Sequence, residues 1–186
     1  MQSVETVQKA GGVKIVRLFE SDEDLIEETA RLYCEIWREP PWEEDFWTVE
    51  GVVDDIRRQL ANQNAVLMIG INGKGVVGFT WGYEVSLSQA CEMCGHEVSD
   101  RFPPGARPFY IDELAVASGK RERGLGYSLS LDCLSEARSH GLNCGFLRTD
   151  IGAIPAKRVY SKLGFEDSFL PDPKYPHRTY WFLKRL

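Results

Sequence analysis

The chain has 186 residues, of which 43% are hydrophobic and 27% are charged, and its 22 basic and 28 acidic side chains give a net charge of −6. This balance is typical of one globular domain and excludes a disordered chain, a collagen and a coiled coil. The acidic surplus argues against a nucleic-acid partner, and no apolar run is long enough for a membrane span. With no signal-peptide pattern and an odd count of five cysteines, we expect reduced thiols and a cytoplasmic protein.

Residues 1–12 are expected to form a flexible N-terminus, followed by one domain over residues 13–186. Alternating or apolar β-forming runs predict strands over 13–19, 65–71, 76–85, 109–116, 143–150 and 178–184. The periodicity of apolar residues predicts helices after a capping pattern at Ser21–Asp24 and over 49–62, 124–140 and 155–163. A hairpin is expected at Asn72–Gly75. The long connection over 86–108 is expected to be functional or to carry a short helix.

The segment Leu114–Gly126 carries the strongest functional signal. A buried strand passes through a basic turn directly into a helix, whose first turn offers unpaired backbone N–H groups and the positive end of the helix dipole. Such an end binds phosphate, although an ordinary turn with solvated cations explains the same residues equally well. The segment lacks both the Lys-Ser/Thr of a P-loop and the G-x-G-x-x-G of a dinucleotide site. The spacing that remains is Arg121-x-x-Gly124-x-Gly126.

This spacing resembles motif A of the GCN5-related N-acetyltransferase (GNAT) superfamily, which binds the pyrophosphate of acetyl-CoA. Downstream, Ala156–Phe165 resembles the family's A-x-x-x-Y-x-K-L-G-F motif. The resemblance implies an α/β (α+β) GNAT fold: a mixed, mostly antiparallel sheet of six to seven strands, with helices on both faces and a splay between the fourth and fifth strands. It implies acetyl-CoA as the cofactor, bound by Leu114, Ala115, Val116, Arg121, Glu122, Arg123, Gly124, Leu125, Gly126 and Tyr127.

One position departs from the family pattern. Ala153 stands where the family usually has an asparagine that ties the fifth strand to the next helix. The corresponding hydrogen bond would have to come from Asp150 or Thr149.

The reaction of an amine with a thioester requires a base for the amine and a proton donor for the leaving thiolate. Tyr160 stands at the family's usual general-acid position, although a core tyrosine with a satisfied hydroxyl is the alternative. Asp112 and Glu113 interrupt an apolar strand, and local similarity to aminoglycoside 6′-N-acetyltransferases favours Asp112 as the base, with Glu113 or water in reserve. A salt bridge to an arginine is the competing explanation. Because successive strand residues alternate in direction, at most one of the two is expected to face the reacting centre.

The acceptor site is expected at the three connections that frame it in the family, here residues 40–47, 86–108 and roughly 170–178. Trp42, Glu43 and Trp47, with Glu44 and Asp45, would suit a cationic amine, although a solvated acidic loop is the alternative. Cys91-x-x-Cys94-Gly95-His96 resembles half of a zinc site, but no fourth ligand is evident, so no metal is predicted.

The sequence thus predicts an acetyl-CoA-dependent N-acetyltransferase for a small-molecule amine, without nucleic-acid or membrane partners. A homodimer is compatible with the resemblance, since dimers are frequent in the family. The alternative is a non-catalytic acyl-CoA sensor or interaction module on the same fold.

Overall fold

The computed structural model describes residues 6–10, 12–40 and 42–186, with side chains described from residue 12 onwards. The strands are β1 (Thr6–Ala10), β2 (Val13–Arg17), β3 (Val66–Asn72), β4 (Gly75–Glu84), β5 (Pro108–Val116), β6 (Cys144–Asp150), β7 (Glu166–Pro171) and β8 (Arg178–Leu183). The α-helices are α1 (Glu23–Trp37), α2 (Val49–Leu60), α3 (Leu87–Cys94), α4 (Leu125–Ser139) and α5 (Ile154–Lys162).

The strands form one mixed sheet in the order β1-β2-β3-β4-β5-β6-β8-β7. Only the β5–β6 pair is parallel, and every other pair is antiparallel. This arrangement confirms the predicted fold class, with seven strands from Val13 onwards. The eighth strand, β1, is an edge strand inside the segment for which the sequence predicts a flexible end, while residues 1–5 lie outside the described residues.

A splay opens between β5 and β6, as expected for the fourth and fifth strands of the family fold. The two strands pair only from Pro108 opposite Cys144 to Ile111 opposite Leu147. Beyond this point β5 continues to Val116 without contacting β6 in the ladder, whereas β6 stays paired with β8 as far as Asp150. The sheet is therefore open beside the second half of β5.

Helices cover both faces of the sheet. On one face, α1 and α2 pack on β4 around the buried Tyr33, Phe79 and Trp81. On the other face, α4 and α5 pack on the central strands through residues such as Leu129 and Tyr160. Burial of this apolar surface holds the strands on each side of the splay in place. Among the described residues, no helix has the length and apolar character needed to cross a membrane.

Two local features, at α1 and β7, differ from the sequence predictions, whereas the short helix expected in the long connection is present. Helix α1 begins after Asp22, whose carboxylate accepts a hydrogen bond from the backbone N–H of Phe19 at 2.9 Å and not from the helix, so the predicted capping box at Ser21–Asp24 is wrong. The long connection carries α3, with a true capping box between Ser86 and Gln89. The sequence did not predict strand β7, because it is an irregular edge strand with a positive φ at Phe169 and little alternation in burial.

Candidate functional site

The two adjacent carboxylates of β5 lie at a β-bulge. Trp81 of β4 is opposite Glu113 and Gly82 is opposite Ile111, so Asp112 has no partner in the ladder. An extra residue in one strand shifts the alternation of its side chains by one position. Ile111 and Leu114 accordingly both contact the core on the α4 face, which leaves the two residues between them on the opposite face.

Asp112 and Glu113 therefore point to the same face of the sheet, towards α1 and α2. The prediction that only one of them could face a given centre was wrong, because the two-residue period of a regular strand does not hold across a bulge. Neither carboxylate forms an ion pair with a lysine or arginine in the part of the chain that the structure describes. The salt-bridge explanation for this acidic pair is thus not realised.

Glu113 is held against the aromatic residues of α1. The Tyr33 hydroxyl donates a hydrogen bond of 3.4 Å to Glu113 Oε1, and the Tyr33 ring stacks on Trp37 with centroids 4.1 Å apart. Burial, and then the charge of Asp112, raise the pKa of the Glu113 carboxyl well above its ordinary value. Glu113 thus retains a proton more readily than a solvated glutamate does.

The pKa of the Asp112 carboxyl is subject to opposing effects. Burial raises the pKa of its carboxyl and the negative charge of Asp55 on α2 acts in the same direction, whereas the positive charge of Arg148 on β6 opposes them. Two adjacent carboxylates in a partly buried site do not both ionise freely. The positive charge of Arg148 opposes the rise at both carboxyls, and at Glu113 that of Arg178 does so as well.

A further negative charge comes from the loop between α1 and α2. Trp47 lies edge-on to Tyr33, with ring centroids 5.3 Å apart, and its indole Nε1–H donates to Glu44 Oε2 at 2.6 Å. Glu44 and Asp55 both act on the Tyr33 hydroxyl through their charge, together with the β5 carboxylates. The charges of four acidic side chains from three parts of the chain therefore converge on Tyr33.

The other loop residues are less closely connected to this site. Trp42 is half-buried, while Glu43 and Asp45 are exposed, Glu43 with a positive φ of 51°. Within the described residues, no side-chain hydrogen bond or ring contact joins these three to Tyr33 or to the β5 carboxylates. The structure thus brings Trp47 and Glu44 to the site, and it leaves the other three at its periphery.

Tyr160 lies on α5 and approaches the same carboxylates from the opposite face. Its ring is buried and meets Phe165 edge-on, with centroids 6.0 Å apart. Burial, and then the charge of Glu113, raise the pKa of the Tyr160 hydroxyl above its ordinary value, so it remains protonated at neutral pH. This hydroxyl makes no hydrogen bond to any residue that the structure describes. The alternative considered from the sequence, a core tyrosine whose hydroxyl is already hydrogen-bonded, is therefore not found.

The turn before α4 presents a row of free backbone donors. In the described chain, no backbone or side-chain acceptor is found for the N–H groups of residues 122–127, and the first bond of the helix runs from Ser128 N–H to the Gly124 carbonyl. Gly124 adopts a left-handed φ of 82° at the N-cap. A methyl group on Gly126 would lie at least 3.7 Å from the nearest protein atoms. Packing therefore tolerates a methyl group at 126. A Cβ atom on Gly124 would have no neighbour within 4 Å, so this side of the turn is open to an anionic group bound to the free donors.

The side chain of Arg121 is used within the protein. Its Nε donates to the Val116 carbonyl at 2.9 Å, and its Nη2 pairs with Glu39 Oε2 at 2.6 Å. These contacts tie the turn to the end of β5 and to the segment after α1. Leu114 and Ala115 precede this point on the splayed half of β5, and Leu125 is buried under the turn.

Four further polar residues that no sequence pattern indicated also surround the site, namely Tyr33, Asp55, Arg148 and Asp172. Asp55 stands between the buried Val52 and Ile56 of α2, and an acidic residue beside an apolar stripe is the only signal that could have indicated it. The others were hidden because their proximity depends on how the strands pair. Ala153 replaces the family's asparagine. Just before it, Asp150 Oδ1 accepts a hydrogen bond of 2.7 Å from Gly152 N–H.

The cysteine motif lies at the end of α3. Cys94 is buried, and desolvation raises the pKa of its thiol to about 12. The Cys91 thiol donates to Glu97 Oε1 at 3.4 Å. Within the residues described, no group of three or more His, Cys, Asp or Glu side chains has a metal-binding arrangement.

Comparison with known proteins places this site in context. Residues 23–165 match the model of the acetyltransferase (GNAT) family. A protein from Pyrococcus horikoshii OT3 has a similar structure, with a TM-score of 0.68 at 17% identity over 94% of this chain and 98% of the other. Aminoglycoside 6′-acetyltransferase type Ii gives a TM-score of 0.64 at 17% identity over 92% and 96%. The NatC complex bound to Gag peptide and CoA gives 0.63 at 14% identity over 94% and 98%.

At these identities the solved structures establish the fold alone, and a search of curated proteins gives no significant match. The family match is the more informative result, because it spans well over half of the chain and includes both β5 and α5. It also includes the row of free donors before α4, which suits the phosphates of a coenzyme. The protein therefore belongs to the acetyltransferase (GNAT) family, and acetyl-CoA is its cofactor.

Proposed function

We propose that the protein is an N-acetyltransferase that acetylates the primary amine of a small, cationic acceptor by direct attack in a ternary complex. One observation carries the proposal: the bulge puts Asp112 and Glu113 on one face beside the splay, with the free hydroxyl of Tyr160 on the other side. A base and an acid on the two sides of one opening are the groups that this reaction requires.

Acetyl-CoA supplies the acetyl group as an activated thioester. The N–H groups of residues 122–127 bind its pyrophosphate by hydrogen bonds and by the positive end of the α4 dipole. The splayed half of β5, Leu114–Val116, lies between this turn and the carboxylates. Backbone groups of this segment would hold the arm of the cofactor between the phosphate-binding turn and the carboxylates.

Asp112 accepts the proton that the acceptor ammonium must lose before it can attack. Glu113 holds its own proton because of its burial and the neighbouring charge, so Asp112 is the ionised member of the pair. A carboxyl with a raised pKa is a stronger base than a solvated one, which suits it to this transfer near neutral pH. Tyr160, whose hydroxyl is protonated at neutral pH and has no hydrogen-bond partner among the described residues, would donate its proton to the departing thiolate.

The cationic class of acceptor follows from the charges around Tyr33. Glu44, Asp55 and Asp112 produce a negative potential there, which raises the local concentration of a positively charged amine. The rings of Tyr33 and Trp47 lie at the same point and can bind an ammonium group through their faces or its carbon skeleton through contact.

The test combines an amine panel with the Tyr160→Phe variant. The panel contains aminoglycosides, polyamines, amino acids and peptides, and thiol release from acetyl-CoA is measured for each. In Tyr160→Phe we expect kcat to fall by about 100-fold or more, the typical share of a general acid. Acetyl-CoA affinity, measured by calorimetry, should stay within about twofold because the turn before α4 is unchanged.

Unchanged turnover in Tyr160→Phe would reject the assigned role of this hydroxyl. Binding of acetyl-CoA by the wild-type protein without thiol release for any amine would instead favour the non-catalytic acyl-CoA sensor. The two proposals are thus separated by the wild-type panel, before any variant is considered.

A further inference from the structure

Arg148 and Asp112 lie on the same face of the sheet on the two sides of the splay. Ile111 and Leu147 form the last pair of the β5–β6 ladder. On the face that carries Asp112 and Arg148, the rings of Tyr110 and Phe146 are in contact, with centroids 4.9 Å apart. Two residues further along each strand the same face carries Asp112 and Arg148, because the alternation holds up to the bulge. The two side chains therefore face the mouth of the splay from its two sides, close enough for the charge of Arg148 to act on Asp112 without an ion pair between them.

The Arg148 side chain is fixed by contacts behind it. Its Nη1 pairs with Asp172 Oδ2 at 2.6 Å, and its guanidinium carbon lies 5.6 Å from the centre of the Tyr175 ring. Asp172 is only 2% exposed. Its Oδ1 accepts the backbone N–H groups of Lys174 and Tyr175 at 2.8 and 2.9 Å. The Tyr180 hydroxyl lies 3.1 Å from Oδ2 and shares its proton between Oδ2 and the Met93 carbonyl, which is 2.6 Å away.

These bonds keep Asp172 ionised and immobile. Burial alone would raise the pKa of its carboxyl, but the hydrogen bonds from Arg148 and the two backbone groups hold it below its ordinary value. A buried carboxylate whose oxygens are all occupied has no second position to adopt. Arg148 is consequently anchored at one end, with its positive charge fixed at the mouth of the splay.

The groups that face Asp112 come from five elements: Tyr33 on α1, Asp55 on α2, Tyr83 on β4, Tyr110 and Glu113 on β5, and Arg148 on β6. Within this described set, Asp55 and Glu113 are acidic and the tyrosines are neutral at physiological pH. Arg148 supplies the positive charge that balances Asp112. Its electrostatic effect on that carboxylate is therefore large relative to that of any neutral neighbour.

We propose that Arg148, anchored by Asp172, is a positioning residue that keeps Asp112 ionised and oriented towards the acceptor. This inference rests on the proposed role of Asp112 as the base. It assigns the Arg148–Asp172 pair a function beyond holding the β7–β8 turn. It also explains why a buried ion pair, which contributes little to stability relative to apolar packing, is placed beside the splay.

The sign of the effect follows from the charge. Removing a neighbouring cation raises the pKa of a carboxyl, so Asp112 would be protonated over more of the pH range in Arg148→Gln. The acid limb of the kcat/KM profile reports ionisation of the base in the free enzyme. We expect this limb to move to higher pH, and each pH unit of displacement lowers kcat/KM on that limb by about tenfold.

The experiment compares the pH profile of amine acetylation with a direct titration of Asp112 by NMR of ¹³C-labelled carboxyl groups, assigned with Asp112→Asn. Arg148→Lys keeps the positive charge and should restore a profile close to that of the wild type. The double variant Arg148→Gln/Asp172→Asn leaves no unpaired buried charge, so it guards against misfolding of the single variant. Arg31→Gln on the exposed side of α1, which pairs only with Glu27, controls for loss of one positive charge.

A higher Asp112 titration midpoint in Arg148→Gln and in the double variant, with no shift in Arg31→Gln, supports the proposal. An unchanged Asp112 midpoint in Arg148→Gln and in the double variant overturns it and leaves Arg148 a structural residue. If the wild-type protein acetylates no amine, the proposed function fails, but the NMR titration still decides whether Arg148 controls the ionisation of Asp112. The two failures are thereby distinguishable.

Discussion

Gly82 supports the bulge that carries the acidic pair, and the substitution Gly82→Ala tests how tightly this region is packed. A Cβ atom at this position would lie 2.7 Å from Cε1 and Cζ of the Phe109 ring, and closer still to the carbonyl oxygen of Tyr110. Both obstacles are rigid, because Phe109 is fully buried and Tyr110 lies in the paired part of β5. To reach an ordinary contact of about 3.5 Å, the ring would have to move by roughly 0.8 Å.

Overpacking of this kind typically lowers the free energy of unfolding by about 1–3 kcal/mol. Since a main-chain atom is one of the two obstacles, we expect the upper half of that range, which corresponds to a fall in Tm of roughly 4–12 °C for a domain of this size. We also expect thiol release to fall more than stability explains, because displaced β5 backbone moves Asp112 and Glu113. The assay is thermal unfolding together with turnover at a temperature where the variant is folded.

Gly73→Ala in the β3–β4 turn is the matched control, since a Cβ atom there has no neighbour within 4 Å. If Gly82→Ala unfolds within about 0.5 kcal/mol of Gly73→Ala, a range typical of harmless surface changes, the close packing behind the bulge is refuted. If Gly82→Ala is destabilised but keeps full turnover, the bulge is needed for the fold and its link to the carboxylates is refuted.

Two further predictions concern the cofactor turn and the acidic pair. In Gly126→Asp, Tm should not fall, because the Cβ atom makes only ordinary contacts and a carboxylate in the first turn of a helix is favourable. Calorimetry should show acetyl-CoA binding weakened by about tenfold or more, because the new charge repels the phosphates; unaltered affinity would contradict a phosphate site at this turn. In Glu113→Gln, Tm at neutral pH should rise. The pKa of the Glu113 carboxyl is higher in the folded than in the unfolded protein, so the wild-type protein loses folding stability as the pH rises from the unfolded-state pKa to the folded-state pKa. This gain should vanish at acid pH, and an equal gain at both pH values would contradict a buried ionisable Glu113.

The regular parts of the fold were predictable because their signals are local. The alternation in β2 and β8 and the apolar period of α2 and α4 follow from one face being buried, and the Asn72–Gly75 hairpin follows from backbone preferences. Strand β7 carries no such signal, since it lies at an edge and its backbone is irregular at Phe169. The cap of α1 was missed because Asp22 bonds to the preceding Phe19 backbone and not to the helix.

One part of the site, the turn before α4, was predictable from the spacing of residues in the sequence. The row of free N–H groups before α4 arises where a buried strand meets a helix through glycines, and this is visible in Arg121-x-x-Gly124-x-Gly126. The Arg121 side chain, in contrast, makes contacts with Val116 and Glu39 that no spacing could indicate. These contacts join residues from separate parts of the chain.

The sequence by itself determined the family, the cofactor and the presence of an acidic pair next to an apolar strand, because each depends on residues close together in the chain. Only the tertiary structure decided how that pair is arranged. The bulge opposite Trp81 and Gly82 turns Asp112 and Glu113 to one face, and the splay brings Arg148 to one side of them and Tyr160 to the other. The physical reason is that register and strand separation depend on cross-strand packing, which a local pattern of residue types does not specify.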